Sequence, residues 1–298
     1  MKTFITGASG YIGGSVAARL VASGHAVRGL VREQAKADLL RARGIEPVIG
    51  SLDDTDLLLR ECRRADGVVN TANADHLASA RVLLDGLAGT GKALLHTSGS
   101  SVIGDDARGN RLSEAIFDED TPFVVAPQKQ ARHELNAMLL AAAARGVRTI
   151  VICPTMIYGM GSGVNPHSIQ IPFLVEQARA AGVVRVVGQG VNRWSTVHID
   201  DLSALYLLAL EHAPAGSFYF AENGEASFAE IGAAIAARLG LGRVDSWTAE
   251  QAASEWGMSR AYYTFGSNSR VRAKRARREL GWSPRHGSAL TWIRDEMP

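Results

Sequence analysis

Thr6-Gly7-Ala8-Ser9-Gly10-Tyr11-Ile12-Gly13 spaces three glycines three residues apart, after a short apolar run and before a stretch with apolar residues at four-residue spacing. Each glycine has a physical job. The first permits a tight turn, the second lets backbone N–H groups approach a pyrophosphate, and the third lets the following helix pack close to the strand. A helix start is also the positive end of its dipole, so phosphate charge is stabilised there. The series predicts a bound dinucleotide contacted by Gly7, Ser9, Gly10, Tyr11, Ile12 and Gly13.

The second strand decides which dinucleotide. An acidic residue at its end would accept hydrogen bonds from a ribose diol, whereas an arginine would pair with a 2′-phosphate. Here Val31 stands in the acidic place and Arg32 follows it. The expected cofactor is therefore NADP(H), with Arg32 on the extra phosphate; the plainer alternative is a solvated surface arginine.

The elements that must position these residues follow from periodicity. Short apolar runs bounded by Gly alternate with helical patterns, which is the signature of βα units. Strands are predicted at Lys2–Thr6, Ala26–Val31, Glu46–Ile49, Gly67–Thr71, Ala93–Thr97 and Thr149–Cys153, with helices between them. Ile12, Val16 and Leu20, with Val21 beside them, give the first helix one apolar face, and Gly24 is its C-cap. After Pro154 the alternation weakens: a loop at 158–163, a helix near Ile171–Ala181, a strand near Val183–Val187 and a helix near Leu202–Glu211. From about Glu222 helices and loops dominate. The expected architecture is an α/β doubly wound parallel sheet over residues 1–156, with a returning segment at about 191–221. A smaller C-terminal substrate lobe takes 157–190 and 222–298.

Composition narrows the function classes. The chain has 298 residues, and its 32 basic and 30 acidic residues leave a formal charge of +2, far from a nucleic-acid footprint. The basic cluster Arg270, Arg272, Lys274, Arg275, Arg277 and Arg278 is read as a solvated helix face. Cys62 and Cys153 lack metal-ligand spacing and suit a reducing compartment. No cationic leader or run of ~18–20 apolar residues is present, so a cytoplasmic protein with no membrane or nucleic-acid partner is expected. The oligomeric state stays open.

Beyond the glycine series, several segments carry a resemblance: Gly50-Ser51-Leu52-Asp53, Val69-Asn70-Thr71-Ala72 and the run from His96 to Gly104. Further on come Cys153-Pro154-Thr155-Met156-Ile157-Tyr158-Gly159, the run from Ser195 to Leu202 and the run from Arg277 to Pro284. With these the chain resembles the extended short-chain dehydrogenase/reductases, the NAD-dependent epimerase/dehydratase family, over nearly its whole length. The resemblance implies a Rossmann sheet, a C-terminal substrate lobe and chemistry at their junction. It also implies adenine contacts at Ser51 and Leu52, phosphate and ribose contacts near Thr71 and Ala72, and nicotinamide contacts near Pro154 and Ile157.

The chain departs from that family where the proton would move. Members use a Ser or Thr and a Tyr separated by three residues from a following Lys, whose charge lowers the phenol's pKa. If Lys129 is the lysine, the tyrosine place is Val125; aligned on Glu134, the two places fall on Gln130 and Ala126. No tyrosine stands in either register. The usual serine place falls on Gly99, between Ser98 and Ser100. The candidate replacements are Ser98, Ser100, Lys129 and Tyr158, while His133 is read as a surface histidine and Asp200 as a helix cap.

On the substrate side, Ser168 and Gln170 offer hydrogen bonds and Tyr262 or Tyr263 a closing wall, which suits a small or medium-sized polar organic molecule. Two readings follow. One is an NADP-dependent oxidoreductase or isomerase with a rearranged proton donor. The other is a non-catalytic NADP(H)-binding sensor, favoured by the missing tyrosine.

Overall fold

A computed structural model describes all 298 residues. The chain opens with β1 (Lys2–Thr6), α1 (Tyr11–Ala22), β2 (Ala26–Val31), α2 (Gln34–Arg41) and β3 (Glu46–Ile49). It continues with α3 (Thr55–Arg64), β4 (Gly67–Asn70), α4 (Leu77–Leu87), β5 (Ala93–Thr97), α5 (Gln130–Ala141) and β6 (Arg148–Pro154). Then come β7 (Met156–Tyr158), α6 (Gln170–Ala181), β8 (Val184–Val187), β9 (Arg193–His198), α7 (Ile199–His212) and β10 (Ser217–Ala221). The remainder is β11 (Glu225–Ser227), α8 (Phe228–Leu239), β12 (Val244–Trp247), α9 (Ala249–Trp256), α10 (Met258–Tyr263), α11 (Lys274–Leu280) and α12 (Ala289–Asp295).

Seven parallel strands form the central sheet in the order β10-β6-β5-β4-β1-β2-β3. Its inner strands are apolar on both faces because helices cover both, as parallel sheets require. Phe4 faces one core with Leu58, Leu83 and Leu94, while Ile5 faces the other with Val16, Leu20 and Leu205. Each such side chain removed from water contributes roughly 1.5–3 kcal/mol. The order reverses between β1 and β4, so both halves of the sheet deliver their carboxyl-end loops to one crevice.

The smaller lobe has its own core. Tyr158, Ile171 and Leu174 from the segment after β6 pack with Phe228, Ile235 and Trp292 from the chain's last third. Between those two pieces, α7 and β10 return to the main sheet. β9 does not: it joins β7 and β11 in a three-stranded sheet, and β12 pairs with β8.

The first three predicted strands and the fifth match in full, and the others differ in small, explicable ways. β4 stops at Asn70 because Thr71 turns back, its Oγ1 donating to the Thr6 carbonyl at 2.7 Å. α7 starts at Ile199, three residues early, because His198 rather than Asp200 is its cap: His198 Nδ1 accepts the Asp200 amide at 3.2 Å. The basic cluster does lie at the surface, with Lys274 and Arg278 exposed, but it is ion-paired rather than free. Arg270 binds Glu225, Arg275 binds Asp120 and Lys274 binds Asp118, while the half-buried Glu119 carboxylate accepts the amides of Phe220, Lys274 and Arg275. The contacts of Asp118, Glu119 and Asp120 strap the segment before α5 to the start of α11, and burial holds the Glu119 carboxyl above the usual range.

Candidate active site

The cradle is built from backbone. Gly7 adopts φ +76°, and a Cβ there would lie 2.8 Å from the Ala72 backbone. A Cβ on Gly13 would lie 2.3 Å from both the Gly7 carbonyl and Thr71 Oγ1. Helix start, β1 turn and β4 turn thus meet at distances only glycine permits. No side chain caps α1 and its first turn holds no acidic residue, so its leading amides stay available to an anion. Those features fit a pyrophosphate. Arg32 is exposed just past β2, and the half-buried Ser51 and Leu52 follow β3, whose Ile49 pairs with Val31.

Tyr11 takes a part the sequence did not suggest. Its buried hydroxyl donates to the Gly159 carbonyl at 2.8 Å, and Ser15 Oγ accepts the Ser162 amide at 3.2 Å. Gly14 and Gly163 touch backbone to backbone, since a Cβ on Gly163 would lie 2.5 Å from Gly14 Cα. The loop after β7 is thereby seated on the first turns of α1. Burial pushes the Tyr11 phenol far above its usual range, so it acts as a fixed donor.

One cleft of about 560 Å³ joins many distant parts of the sequence. Its lining includes Gly10–Gly13, Thr71, Ser98–Ser101, Lys129, Arg132, Pro154, Ile157, Ser168 and Gln170, with Trp194, Arg260 and Phe265 from the far side. Neither Ser168 nor Gln170 is spent on capping, because α6 begins without a side-chain cap.

Inside the cleft most polar groups are already committed. Ser98 Oγ accepts from Asn136 Nδ2 at 2.8 Å, and Ser100 Oγ lies 2.9 Å from Ser269 Oγ. Below them Thr6 Oγ1 donates to Asn70 Oδ1 at 2.6 Å and Asn70 Nδ2 meets His96 Nδ1 at 3.0 Å, a polar chain across three strands. Burial lowers the His96 pKa to about 4, and it pushes the Cys153 thiol up to about 12, leaving no thiolate to act. Lys129 differs: half-buried, it has no hydrogen bond or ion pair, and its Nζ lies 5.7 Å from the Tyr263 ring centre. Burial and the nearby Arg132 guanidinium lower its pKa.

Tyr158 is not a cleft residue. Its hydroxyl donates to the His286 carbonyl at 2.7 Å inside the small lobe, because β7 turns that side chain toward Trp292. Tyr262 and Tyr263 also lie outside the cleft lining. They face a neighbouring cavity of about 950 Å³, and Tyr262 is held by Glu250 at 3.1 Å. Three cleft-side residues were not anticipated: Arg132, its partner Asp75, and Asn136. The signal for Arg132 was available, since it stands three residues after Lys129, in the first turn of α5.

This fold and this crevice define a dinucleotide-binding α/β protein. Its match to the NAD dependent epimerase/dehydratase model spans residues 3–219, and the chain belongs to that family. An Acremonium oxidase named ucsJ is 35% identical, with 95% of this chain and 92% of that protein aligned. A ketoreductase of Stigmatella aurantiaca, named for a 3-oxo farnesyl-dihydroquinoline oxide, is 29% identical over 100% of this chain and 97% of its own. Among solved structures, dTDP-glucose 4,6-dehydratase of Bacillus anthracis, in complex with NAD, superposes with a TM-score of 0.78 at 19% identity. That match covers 99% of this chain and 94% of the other. No helix is long and apolar enough to cross a membrane.

Proposed function

We propose that the protein is an NADP(H)-dependent oxidoreductase that interconverts a carbonyl and an alcohol on a small molecule. The observation that carries this reading is the free, half-buried Lys129 ammonium in the cleft that also holds the glycine cradle and the β6 edge. A nicotinamide held by the glycine cradle and the β6 edge would supply or take up the hydride. Ser98, fixed by Asn136, orients the substrate oxygen, and Lys129 gives that oxygen a proton on reduction and recovers one from solvent. A lowered ammonium pKa suits this task, because proton transfer is most efficient when the acid titrates closer to working pH. The ketoreductase relative supports this direction of chemistry.

The sensor reading keeps one observation in its favour: no phenol faces the cleft, since Tyr11 and Tyr158 both donate to backbone carbonyls. Calorimetric titration with NADPH and NADH, followed by turnover of a ketone panel by the parent and Lys129→Met, separates the two. NADPH binding with ketone reduction lost in the variant is expected. Binding without any turnover favours the sensor.

A further inference from the structure

We infer that the substrate is an uncharged, largely apolar carbonyl compound or alcohol, seated in the cavity between the segment 103–128 and α10; this rests on the oxidoreductase reading above. At about 950 Å³ the cavity is at the upper end of the ~300–1,000 Å³ usual for small-molecule sites. Its apolar wall is Ile103, Phe117, Phe123, Val125, Met258 and Tyr263. Two further features fix the chemistry of the occupant.

First, the apolar surface is uncovered. Val124 is 93% exposed and Met258 58%, and both stand at this cavity. Apolar side chains gathered at the rim of a cavity mark a binding site more often than chance exposure does. Second, the charged groups of the wall are already satisfied within the protein. Arg270 Nε binds Glu225 at 2.9 Å and its Nη1 the Ser113 carbonyl at 2.6 Å. Arg108 is held by Asp106 and Glu250, each at 3.1 Å, and Asp105 takes the Asn268 side chain at 3.0 Å. A nucleotide-linked sugar needs cations free to meet its diphosphate. This wall offers none, so the polar substrate expected from Ser168 and Gln170 gives way to an apolar one.

The cavity also reaches the chemistry. Tyr263 lines it and Lys129, over the Tyr263 ring, lines the cleft, so the two spaces share that boundary. Val125, four residues before Lys129, stands on the cavity side. An apolar body against Phe117 and Phe123 would present its oxygen toward Lys129.

The test uses the NADPH-loaded full chain and the 2-alkanones from butanone to decanone, with binding read by saturation-transfer NMR and calorimetry. Affinity is expected to rise about fourfold per methylene until the cavity is filled. Val124→Glu and Met258→Glu, at exposed sites, should each weaken decanone binding at least tenfold while leaving the NADPH affinity and the melting temperature unchanged. UDP-glucose should not displace decanone. Affinity independent of chain length, or tighter binding of UDP-glucose, overturns the inference. If NADPH itself fails to bind, the oxidoreductase reading falls first; if NADPH binds and the alkanones show no length dependence, only the apolar assignment falls.

Discussion

Arg132 grips Asp75 through two bonds, Nε to Oδ1 at 2.7 Å and Nη2 to Oδ2 at 2.5 Å, which fixes its guanidinium beside Gly99 at the end of β5. The hydrogen bonds from Arg132 hold the Asp75 carboxyl below the usual carboxylate range. The pair acts on Lys129 with opposite signs, Arg132 lowering its pKa and Asp75 raising it. In Asp75→Asn the supporting charge is gone, so Lys129 should lose its proton at lower pH. The alkaline limb of kcat against pH is expected to move toward acid, with the KM for substrate little changed. An unmoved limb would mean that Lys129 is not the titrating acid. Lys129→Met should cost ~10²–10⁴ in kcat, the usual worth of a positioned acid.

Arg32 is exposed just past β2, with no internal partner to satisfy it. Arg32→Ala is expected to weaken NADPH by ~1.5–3 kcal/mol, the range of a charge-assisted contact, and to leave NADH unaffected. Parallel titrations of the two cofactors check this; equal losses for both would assign Arg32 no part in discrimination.

A methyl group on Gly13 would collide with the Gly7 carbonyl and Thr71 Oγ1 at 2.3 Å, both held by the turn itself. Gly13→Ala should therefore cost ~1–3 kcal/mol of stability and more in cofactor affinity. A methyl group on Gly242 would meet nothing within 4 Å, so Gly242→Ala should stay within ~0.5 kcal/mol in the same urea titrations.

His96 makes stability depend on pH. Burial lowers its pKa from 6.5 to about 4, so between those values the unfolded chain binds a proton that the folded one does not. Stability is full above about pH 6.5, falls as pH drops toward 4, and levels below; the shift corresponds to roughly 3 kcal/mol in all. His96→Gln should flatten that slope, whatever it does to stability at neutral pH. Urea midpoints measured from about pH 7 to about pH 4 decide it, and parallel slopes would refute the assignment.

Much of the sheet could be read from the chain because its buried strands are short apolar runs with glycine punctuation, and Lys2–Thr6 through Ala93–Thr97 needed no partner information. The strands of the smaller lobe were harder. β7 and β11 have three residues each, too few for a period to register, and β9 carries Arg193, Ser195 and His198. At the site, backbone geometry was legible from glycine spacing, whereas side-chain direction was not. Tyr158 sits beside Ile157 in sequence, but pleating sends it to the opposite side of β7. Asp75 and Arg132 are 57 residues apart, a pairing no local pattern encodes.

The core of the smaller lobe draws on two pieces of chain separated by α7 and β10, with Tyr158 on one side and Trp292 on the other. Closing that core means bringing together segments that at the extreme, Tyr158 and Trp292, stand more than a hundred residues apart, with the central sheet's last strand made in between. Loop-closure entropy must be met before those contacts return any energy. The lobe should therefore acquire protected amides last, α6, α8 and α12 together, once β10 has docked on β6. Pulse-labelled hydrogen exchange during refolding would show this as a late common phase. For the same reason a chain cut after β10 should leave α6 unprotected, although every residue of that helix is still present.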